Sequence, residues 1–341
     1  MTTETALLTS ITSAHPQVPP EAALAFWDSE PTTADTMYDG LVNQTYRVAH
    51  GSTDAIMQRL SPVVPAATMA NSVAVMRHMK GHGWEVPTPL TTHAGEYVHT
   101  DQSGFLWRAM TYVDNDGRVP EALDDLTAYQ AGELLGAWHR SLADSTYQPV
   151  ETLPHFHDTP HHAARLQERL AAMPDDETRA AGRLALSVFM ETPALEPTDH
   201  QLIHGDPKLA NMLFRDGSPF TLIDYDTHMR GSVWLDVGDL LRSICSYDIG
   251  NGQAPSAERL QVVLQGYQHG SEIEMPTAEL NRTGLAATRI IALELTMRYL
   301  SDIVDQSYFS WDMGRADSHR DYLYGRAGTQ WHIVQALHGR L

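Results

Sequence analysis

The most informative segment of this chain is His204-Gly-Asp-Pro-Lys-Leu-Ala-Asn211, followed by Ile223-Asp-Tyr-Asp226. It places the carboxylate of Asp206 between a glycine and a proline, a context that resists helix formation and favours a tight turn. Asn211 follows five residues later, and Asp224 ends a short apolar strand. Phosphoryl transfer from ATP uses these groups, because an Asp orients and deprotonates the attacking hydroxyl while an Asn and an Asp hold Mg²⁺. The spacing therefore predicts a catalytic base at Asp206 and metal ligands at Asn211 and Asp224.

Lys208 lies two residues beyond Asp206 and is one of only two lysines in the chain, the other being Lys80. A cation at this position can reach the transferring phosphoryl group and neutralise the charge that develops in the transition state. We therefore predict a catalytic role for Lys208, with an ordinary solvent-exposed lysine as the alternative. Asp226 either assists the metal or fixes the loop. Asp236 is expected to cap the next helix or to accept hydrogen bonds from the backbone of the catalytic loop.

The composition is that of an ordinary globular protein. Its 341 residues predict one large domain or two linked domains. No apolar run approaches the ~20 residues of a membrane span, and no basic region precedes the first apolar residues as in a signal peptide. The single cysteine, Cys245, forbids an internal disulfide and suits a reducing cytoplasm, where we expect the protein. The net charge of −20 argues against nucleic acid or an anionic membrane as a partner.

Secondary-structure patterns divide the chain near residue 112. Before it, short alternating segments bounded by turns, such as Ala55–Leu60, predict strands. After it, apolar residues recur at helical spacing, beginning with Leu126–Ala143. We therefore predict an α+β protein, with a small antiparallel-sheet N-terminal lobe over residues 1–112 and a larger helical C-terminal lobe over residues 113–341.

The catalytic segment and Asp236-Val-Gly-Asp239 resemble the aminoglycoside phosphotransferase/choline kinase superfamily. This resemblance implies a protein-kinase-like two-lobed fold and the use of ATP and Mg²⁺. Within the superfamily, further stretches are similar to the N-acetylhexosamine 1-kinases. These stretches are Pro154–His161, Met297–Asp302, Tyr308-Phe309, Thr329-Gln330, Val334-Gln335, Asp224–Thr227 and Gly231-Ser232.

The resemblance also implies where the nucleotide binds. The turn Gly40–Thr45 would cover the phosphates, and the end of the strand Met110–Val113 would carry the adenine. The residues predicted to contact the nucleotide are Gly40, Asn43, Thr45, Gln58, Arg59, Met110 and Tyr112.

The N-terminal lobe departs from the usual kinase pattern of a strand lysine paired with a helix glutamate. The strand Ile56–Leu60 has no lysine, and the following helix has no acid over Met69–Met76. Gln58 or Arg59 would have to replace the lysine. The absent ion pair also motivates the alternative of a pseudokinase, which would bind a nucleotide without catalysis.

On the acceptor side, the resemblance implies a sugar site formed by residues far apart in the chain. Arg298 would contact the sugar, and the alternative is that it is an ordinary surface arginine. The four histidines between residues 155 and 162 suggest zinc, but no cysteine or His-Glu-x-x-His accompanies them and prolines interrupt the run, so we expect no zinc site there. The residues predicted at the sugar are Asp206, Arg298, Tyr308, His155 and Asp158, with His157 as a further candidate.

Together these features predict an ATP- and Mg²⁺-dependent kinase for the anomeric hydroxyl of an N-acetylhexosamine or related hexose. The alternatives within the same chemistry are an aminoglycoside, choline or another amino alcohol, and glucosamine, because an acidic chain could supply the pocket that a cationic acceptor needs. The expected partners are ATP and a small sugar, with no nucleic acid and no membrane. The oligomeric state is left open by the sequence.

Overall fold

The N-terminal lobe is built on a five-stranded antiparallel sheet with strand order β1-β2-β3-β5-β4. Its strands are β1 Thr33–Met37, β2 Gln44–His50, β3 Thr53–Arg59, β4 His99–Thr100 and β5 Leu106–Thr111. The computed structural model describes residues 18–37, 42–117, 119–121, 123–195, 200–311 and 314–338.

The two faces of this sheet differ in chemistry. Neighbouring residues of a strand point to opposite faces, and the register pairs Gln58 with Arg108 and Met57 with Ala109. Gln58 and Arg108 therefore share a polar face, which is turned toward the C-terminal lobe. The short helix α1, Pro20–Leu24, covers the apolar face. The cluster buried there consists of Ala22, Ala23, Phe26, Tyr46, Val48, Ala55, Met57, Trp107 and Ala109.

Helix α2, Thr68–Gly81, connects the two lobes. Its Met79 belongs to the large core of the C-terminal lobe, and so does Met110 of β5. The Ser72 hydroxyl of the same helix donates a hydrogen bond to the Tyr225 carbonyl oxygen at 3.3 Å. Helix α2 is therefore fixed against the loop that carries Asp224. The domain boundary near residue 112 stays a prediction.

The C-terminal lobe is mainly helical. Its helices are α3 Asp125–Leu142, α4 Thr159–Arg169, α5 Asp176–Glu191, α6 Val233–Gly250, α7 Ala257–Ser271, α8 Thr277–Asp305 and α9 His319–Ala336. Two antiparallel strand pairs interrupt them, namely β6 His200–Ile203 with β9 Met229–Ser232 and β7 Met212–Arg215 with β8 Ser218–Leu222. The catalytic loop joins β6 to β7, and the Asp224 loop joins β8 to β9. The predicted α+β class is confirmed. Within the described residues, no helix is long and apolar enough to cross a lipid bilayer.

Helices α3 and α7 pack with their backbones in direct contact. Gly132 and Gly136 on α3 face Gly266 and Gly270 on α7. A Cβ built on any of the four would lie 2.0 to 2.4 Å from a backbone oxygen of the other helix. Only glycine permits such an approach, so these residues fix the separation of the two helices.

Candidate active site

Asp236 positions the backbone of the catalytic loop. Its two oxygens accept hydrogen bonds from the amides of His204 (2.7 Å) and Gly205 (2.8 Å). His139 of α3 bonds to the same carboxylate at 2.9 Å, and its other ring nitrogen meets the Tyr267 hydroxyl of α7 at 3.0 Å. The Asp236 carboxylate is fully buried. Because it bonds both to His139 and to the loop amides, this network connects the α3–α7 contact to the loop. Of its two predicted roles, hydrogen bonding to the loop is confirmed, whereas another residue caps α6.

Gly205 lets the catalytic loop approach the Asp224 loop. Its φ is +86°, in the left-handed region that favours glycine, and a Cβ built on it would lie 2.3 Å from the Thr227 carbonyl oxygen. The Thr227 hydroxyl in turn donates to the His204 carbonyl oxygen at 2.9 Å. The two loops that carry the predicted base and metal ligand are therefore held together by their backbones.

Asp206 is the centre of a cluster of predicted catalytic groups. Lys208 Nζ donates to its carboxylate at 2.5 Å, and the Asn211 side-chain amide donates to the same oxygen at 3.2 Å. The Asp206 side chain is 22% exposed, which leaves it accessible to a substrate. Burial favours a raised pKa for Asp206, but the Lys208 ammonium outweighs burial and holds this pKa below its ordinary value. Asp206 is therefore ionised and able to accept a hydrogen bond.

Asp224 lies beside two other carboxylates in a strained backbone conformation. Its φ is +70°, which is uncommon for a residue with a side chain and is often found at functional sites. Burial, and then the proximity of Asp226, raise the pKa of Asp224 to about 6. A divalent cation bound beside these carboxylates would reverse this effect on the pKa of Asp224.

The donor set near Asp224 fits a magnesium ion. The side-chain nitrogen of Asn211 donates hydrogen bonds to the carbonyl and carboxylate oxygens of Asp206. This leaves the side-chain oxygen of Asn211 for a metal, and Mg²⁺ prefers carboxylate and amide oxygens. The metal ligands Asn211 and Asp224 stay predictions.

Arg108 is the cation that joins the sheet to the Asp224 loop, and the sequence reasoning missed it. Its guanidinium forms a bidentate ion pair with Asp226, with nitrogen–oxygen distances of 2.5 and 2.9 Å. The side chain is 2% exposed. This pair joins the two lobes, in a chain that lacks the usual pair of a strand lysine and a helix glutamate. The sequence does contain a signal for this role, because Arg108 is the only charged residue in the mostly apolar strand Leu106–Thr111.

Three of the predicted nucleotide-binding residues belong to the network around Arg108. Gln58 accepts a hydrogen bond from Arg108 Nε at 2.8 Å and donates one to the Thr45 hydroxyl at 3.0 Å. Asn43 donates to Asp226 at 3.0 Å. The structure therefore gathers Asn43, Thr45 and Gln58 on the polar face of the sheet, next to the Asp224 loop.

Arg59 does not join them, which corrects one expectation. It is the neighbour of Gln58 on β3 and points to the opposite face, where its guanidinium lies 3.7 Å from the centre of the Phe105 ring. Of the two candidates to replace the missing lysine, only Gln58 faces the interlobe space. Gly40 lies outside the described residues.

Met110 and Tyr112 follow Arg108 along the same face of the sheet. Met110 is 8% exposed and pairs with Ile56 of β3. The Tyr112 ring is covered by the Arg47 guanidinium, 4.1 Å from the ring centre. These two residues continue this face of the sheet toward the linker to the C-terminal lobe, where adenine binding was predicted.

A cavity of about 240 Å³ lies between α4 and the end of α8. It brings together three of the residues predicted at the sugar, namely His155, Arg298 and Tyr308. Asp158 does not line this cavity, but its carboxylate contacts His155 Nδ1 at 2.8 Å and caps α4. Asp158 therefore fixes the orientation of His155.

Most of the Arg298 side chain is shielded from solvent, so the alternative of a surface arginine is wrong. Its side chain is 11% exposed and lies 3.8 Å from Glu294. The rings of Phe156 and Tyr308 flank the guanidinium, with ring centres 5.0 and 5.1 Å away. Cation–π contacts of this kind orient a guanidinium.

The chain matches the family described as "Phosphotransferase enzyme family" over residues 38–273. The chain belongs to this family. The prediction of an enzyme that transfers phosphoryl groups is thereby confirmed, as is the superfamily resemblance, whereas the finer resemblance to N-acetylhexosamine 1-kinases is not shown.

Solved structures agree with this phosphotransferase in fold. An amicoumacin kinase, in complex with AMP-PNP, Ca²⁺ and Ami, has a TM-score of 0.59 at 14% identity, covering 98% of this chain and 94% of the other. An aminoglycoside phosphotransferase from Alicyclobacillus acidocaldarius subsp. acidocaldarius gives 0.57 at 14% identity, covering 96% and 97%. Spectinomycin phosphotransferase, in complex with ADP and spectinomycin, has a TM-score of 0.56 at 12% identity, covering 92% of this chain and 97% of the other. At these identities the likeness shows the fold alone.

A buried ion pair in this phosphotransferase connects the Arg298 region to the catalytic loop. His157 Nε2 donates to the Gly205 carbonyl oxygen at 2.6 Å, and its Nδ1 meets Glu294 at 3.2 Å. Burial favours a lower pKa for His157, but the Glu294 carboxylate outweighs it and raises this pKa to about 9. Burial likewise favours a raised pKa for Glu294, yet His157 lowers it to about 2. The imidazolium therefore holds the catalytic loop against α8.

Asp239 and Arg242 form a buried ion pair within α6, with a nitrogen–oxygen distance of 2.8 Å. One oxygen of Asp239 has no hydrogen-bond partner among the described residues. The charges of this pair interact with the Asp206 carboxylate, because Arg242 helps to lower the pKa of Asp206 and Asp206 helps to raise the pKa of Asp239.

Proposed function

We propose that this phosphotransferase transfers the γ-phosphoryl group of ATP, with Mg²⁺, to the anomeric hydroxyl of an N-acetylhexosamine or related hexose. The observation that carries the proposal is the convergence of Lys208 and Asn211 on the carboxylate of Asp206. An ionised carboxylate with a bound lysine, next to a second carboxylate at Asp224, is the arrangement that phosphoryl transfer to a hydroxyl requires.

Asp206 would accept a hydrogen bond from the acceptor hydroxyl and align its oxygen with the γ-phosphorus. As the new oxygen–phosphorus bond forms, the bond to the leaving ADP breaks, and the hydroxyl proton passes to Asp206. Lys208 would neutralise the charge on the phosphoryl oxygens. A bound Mg²⁺ supplies charge neutralisation on the phosphates. The acceleration is mostly positioning and electrostatics, which suits a base whose pKa lies below its ordinary value.

The nucleotide would lie between the polar face of the sheet and the catalytic loop. Met110 and Tyr112 would carry the adenine, while Asn43, Thr45 and Gln58 would border the phosphates. Gln58 would serve as a neutral replacement for the usual lysine. The charge of Arg108 is already balanced by Asp226, so its part is to hold the lobes at a fixed separation.

The cavity beside α8 supports a neutral sugar more than a cationic acceptor. Aromatic side chains such as Tyr308 and Phe309 offer flat apolar surface to a sugar ring, and Arg298 offers hydrogen-bond donors to its oxygens. Asp302 is the only carboxylate among the described residues that line the cavity. It already accepts hydrogen bonds from the amides of Tyr308 (3.1 Å) and Phe309 (2.8 Å). The cavity therefore offers a cationic acceptor little compensation for its charge.

A coupled assay of ADP release across a panel of acceptors tests the proposal. The panel contains N-acetylglucosamine, N-acetylgalactosamine, glucosamine, choline and kanamycin, each with ATP and Mg²⁺. We expect turnover with an N-acetylhexosamine, and mass spectrometry should detect an acid-labile sugar 1-phosphate. Preferred turnover of kanamycin or choline would contradict the acceptor, and no turnover of any member would contradict the sugar kinase.

The variant Asp206→Asn tests the role of the base. It should lower kcat about 10²- to 10⁴-fold, the usual loss on removing a general base. Asp216→Asn is the matched control, because Asp216 lies on the exposed turn between β7 and β8. Near-full activity of Asp206→Asn would contradict the mechanism.

A further inference from the structure

Three metal-binding side chains meet outside the active site. His78 lies in the last turn of α2, His82 directly follows this helix, and Asp144 follows the end of α3. One oxygen of Asp144 lies 3.3 Å from His78 Nε2 and 3.5 Å from His82 Nε2. All three ligand atoms lie within 4.8 Å of one another.

These distances match the spacing of ligands around a tetrahedral metal ion. Zinc–nitrogen and zinc–oxygen bonds of about 2.0–2.2 Å hold neighbouring ligand atoms about 3.3–3.5 Å apart. The oxygen of Asp144 therefore lies near the correct distance from both imidazole nitrogens. Two histidines and one carboxylate form a ligand set that suits zinc and leaves a fourth position open.

We propose that His78, His82 and Asp144 bind a Zn²⁺ ion that joins α2 to the end of α3. The three side chains line a cavity of about 500 Å³, from which water can supply the fourth ligand. His78 Nε2 also lies 2.7 Å from the Ser141 carbonyl oxygen. The ion would replace the Nε2–H···O contact, and the proton on this nitrogen would move to Nδ1, so that Nε2 offers its lone pair to the metal.

A second histidine cluster provides an internal comparison. His155, Asp158 and His161 also come close together, but the two imidazole rings are stacked in parallel, with centres 3.8 Å apart and planes within 2°. The nitrogen lone pairs lie in the ring planes, and two parallel planes this far apart cannot both contain one ion. Asp158 also caps α4. This second cluster is therefore not a site for the same ion.

The consequence of the proposed site is mechanical. Helix α2 also contacts the Asp224 loop, because Ser72 donates to the Tyr225 carbonyl oxygen. A zinc ion near the C-terminal end of α2 would fasten this helix to the C-terminal lobe at a second point. Because the ion binds only the folded arrangement of the ligands, it would raise the stability of the folded protein.

Zinc titration of the chelator-treated full-length protein, against a competing chromophoric chelator, tests the site. Wild-type protein should bind one Zn²⁺ ion, and saturating Zn²⁺ should raise its unfolding midpoint. His82→Ala and Asp144→Asn should each weaken binding at least about tenfold and remove the shift in midpoint. Both changes lie at exposed positions, and circular dichroism would check that the variants are folded.

His161→Ala is the matched control, because it removes a histidine from the stacked cluster. It should leave zinc affinity and the shift in midpoint unchanged. The chain has 18 histidines, so nonspecific binding must be distinguished from the site. The proposal is overturned if His82→Ala and Asp144→Asn bind zinc like the wild type, or if His161→Ala weakens binding equally.

Discussion

The buried ion pair between Arg108 and Asp226 joins the sheet to the Asp224 loop in a chain that lacks the usual lysine and glutamate. Both side chains are almost fully buried, at 2% and 6% exposure, and the two hydrogen bonds satisfy the geometry of a guanidinium and a carboxylate. A lysine at position 108 would offer a point charge without this bidentate pairing. Arg108 therefore fixes the Asp224 loop, and through it the predicted metal ligand.

Replacing Arg108 should destabilise the protein strongly. Arg108→Met leaves the Asp226 carboxylate buried without its partner, which costs about 3–5 kcal/mol. Denaturant unfolding would measure the loss, and the double variant Arg108→Met with Asp226→Asn should recover part of it. A loss below about 1 kcal/mol in the single variant would show that the pair does not hold the lobes.

The ion pair of His157 and Glu294 makes stability depend on pH. The pKa of His157 rises from 6.5 to about 9 in the folded protein, so the imidazolium stabilises the fold fully below pH 6.5. This contribution, at most about 3 kcal/mol, is lost as pH rises through about 9. Relative to His157→Gln, wild-type protein should be most stable near pH 6 and lose that advantage near pH 9.5. Denaturant unfolding at both pH values measures it, and an unchanged difference contradicts the charged pair.

At the level of elements, the contact of α3 with α7 supports the catalytic loop. The glycines let the helices approach until His139 and Tyr267 meet beneath Asp236. The loop geometry therefore depends on glycines that lie outside the active site.

Two glycine-to-alanine variants should change stability in opposite directions. A Cβ on Gly270 would lie 2.0 Å from the Glu133 carbonyl oxygen, so Gly270→Ala should cost several kcal/mol and lower activity. Gly328, in the interior of α9, has no atom within 4 Å of a Cβ. Gly328→Ala should therefore stabilise the protein by up to about 1 kcal/mol. Unfolding midpoints would measure both, and equal effects would contradict the close packing of α3 and α7.

The elements whose patterns are local could be predicted from the sequence. The tight turn at Asp206 and the short strand before Asp224 follow from neighbouring residues, and so does the alternation along β3. The contact of Arg108 with Asp226 could not be predicted in this way, because it joins residues 118 positions apart. Arg59 illustrates the same limit, since the strand period leaves open which of two neighbours faces the interlobe space. The hydrogen bond of His157 to Gly205 could not be predicted either, because His157 lies in a loop without a regular repeat.

For the whole molecule, the net charge of −20 sets the response to salt. The chain has 43 acidic residues against 23 lysines and arginines, so the folded state carries self-repulsion that salt screens. Raising NaCl from low concentration to ~0.5 M, many times the ionic strength at which screening begins, should raise the unfolding midpoint. An uncharged osmolyte at equal osmolarity is the control for the nonspecific effect. A midpoint that falls with salt would show that exposed ion pairs outweigh the repulsion.

The scarcity of lysine has a practical consequence for chemical labelling. A nucleotide derivative that acylates a lysine beside the phosphates would have Lys208 as its target in the catalytic loop. The other lysine, Lys80, lies on α2 with its amine 3.0 Å from the Thr88 hydroxyl. In most kinases such a reagent would also modify the N-terminal lobe. Here one modified peptide would report how much of the enzyme holds nucleotide, and protection by a sugar would report on the acceptor.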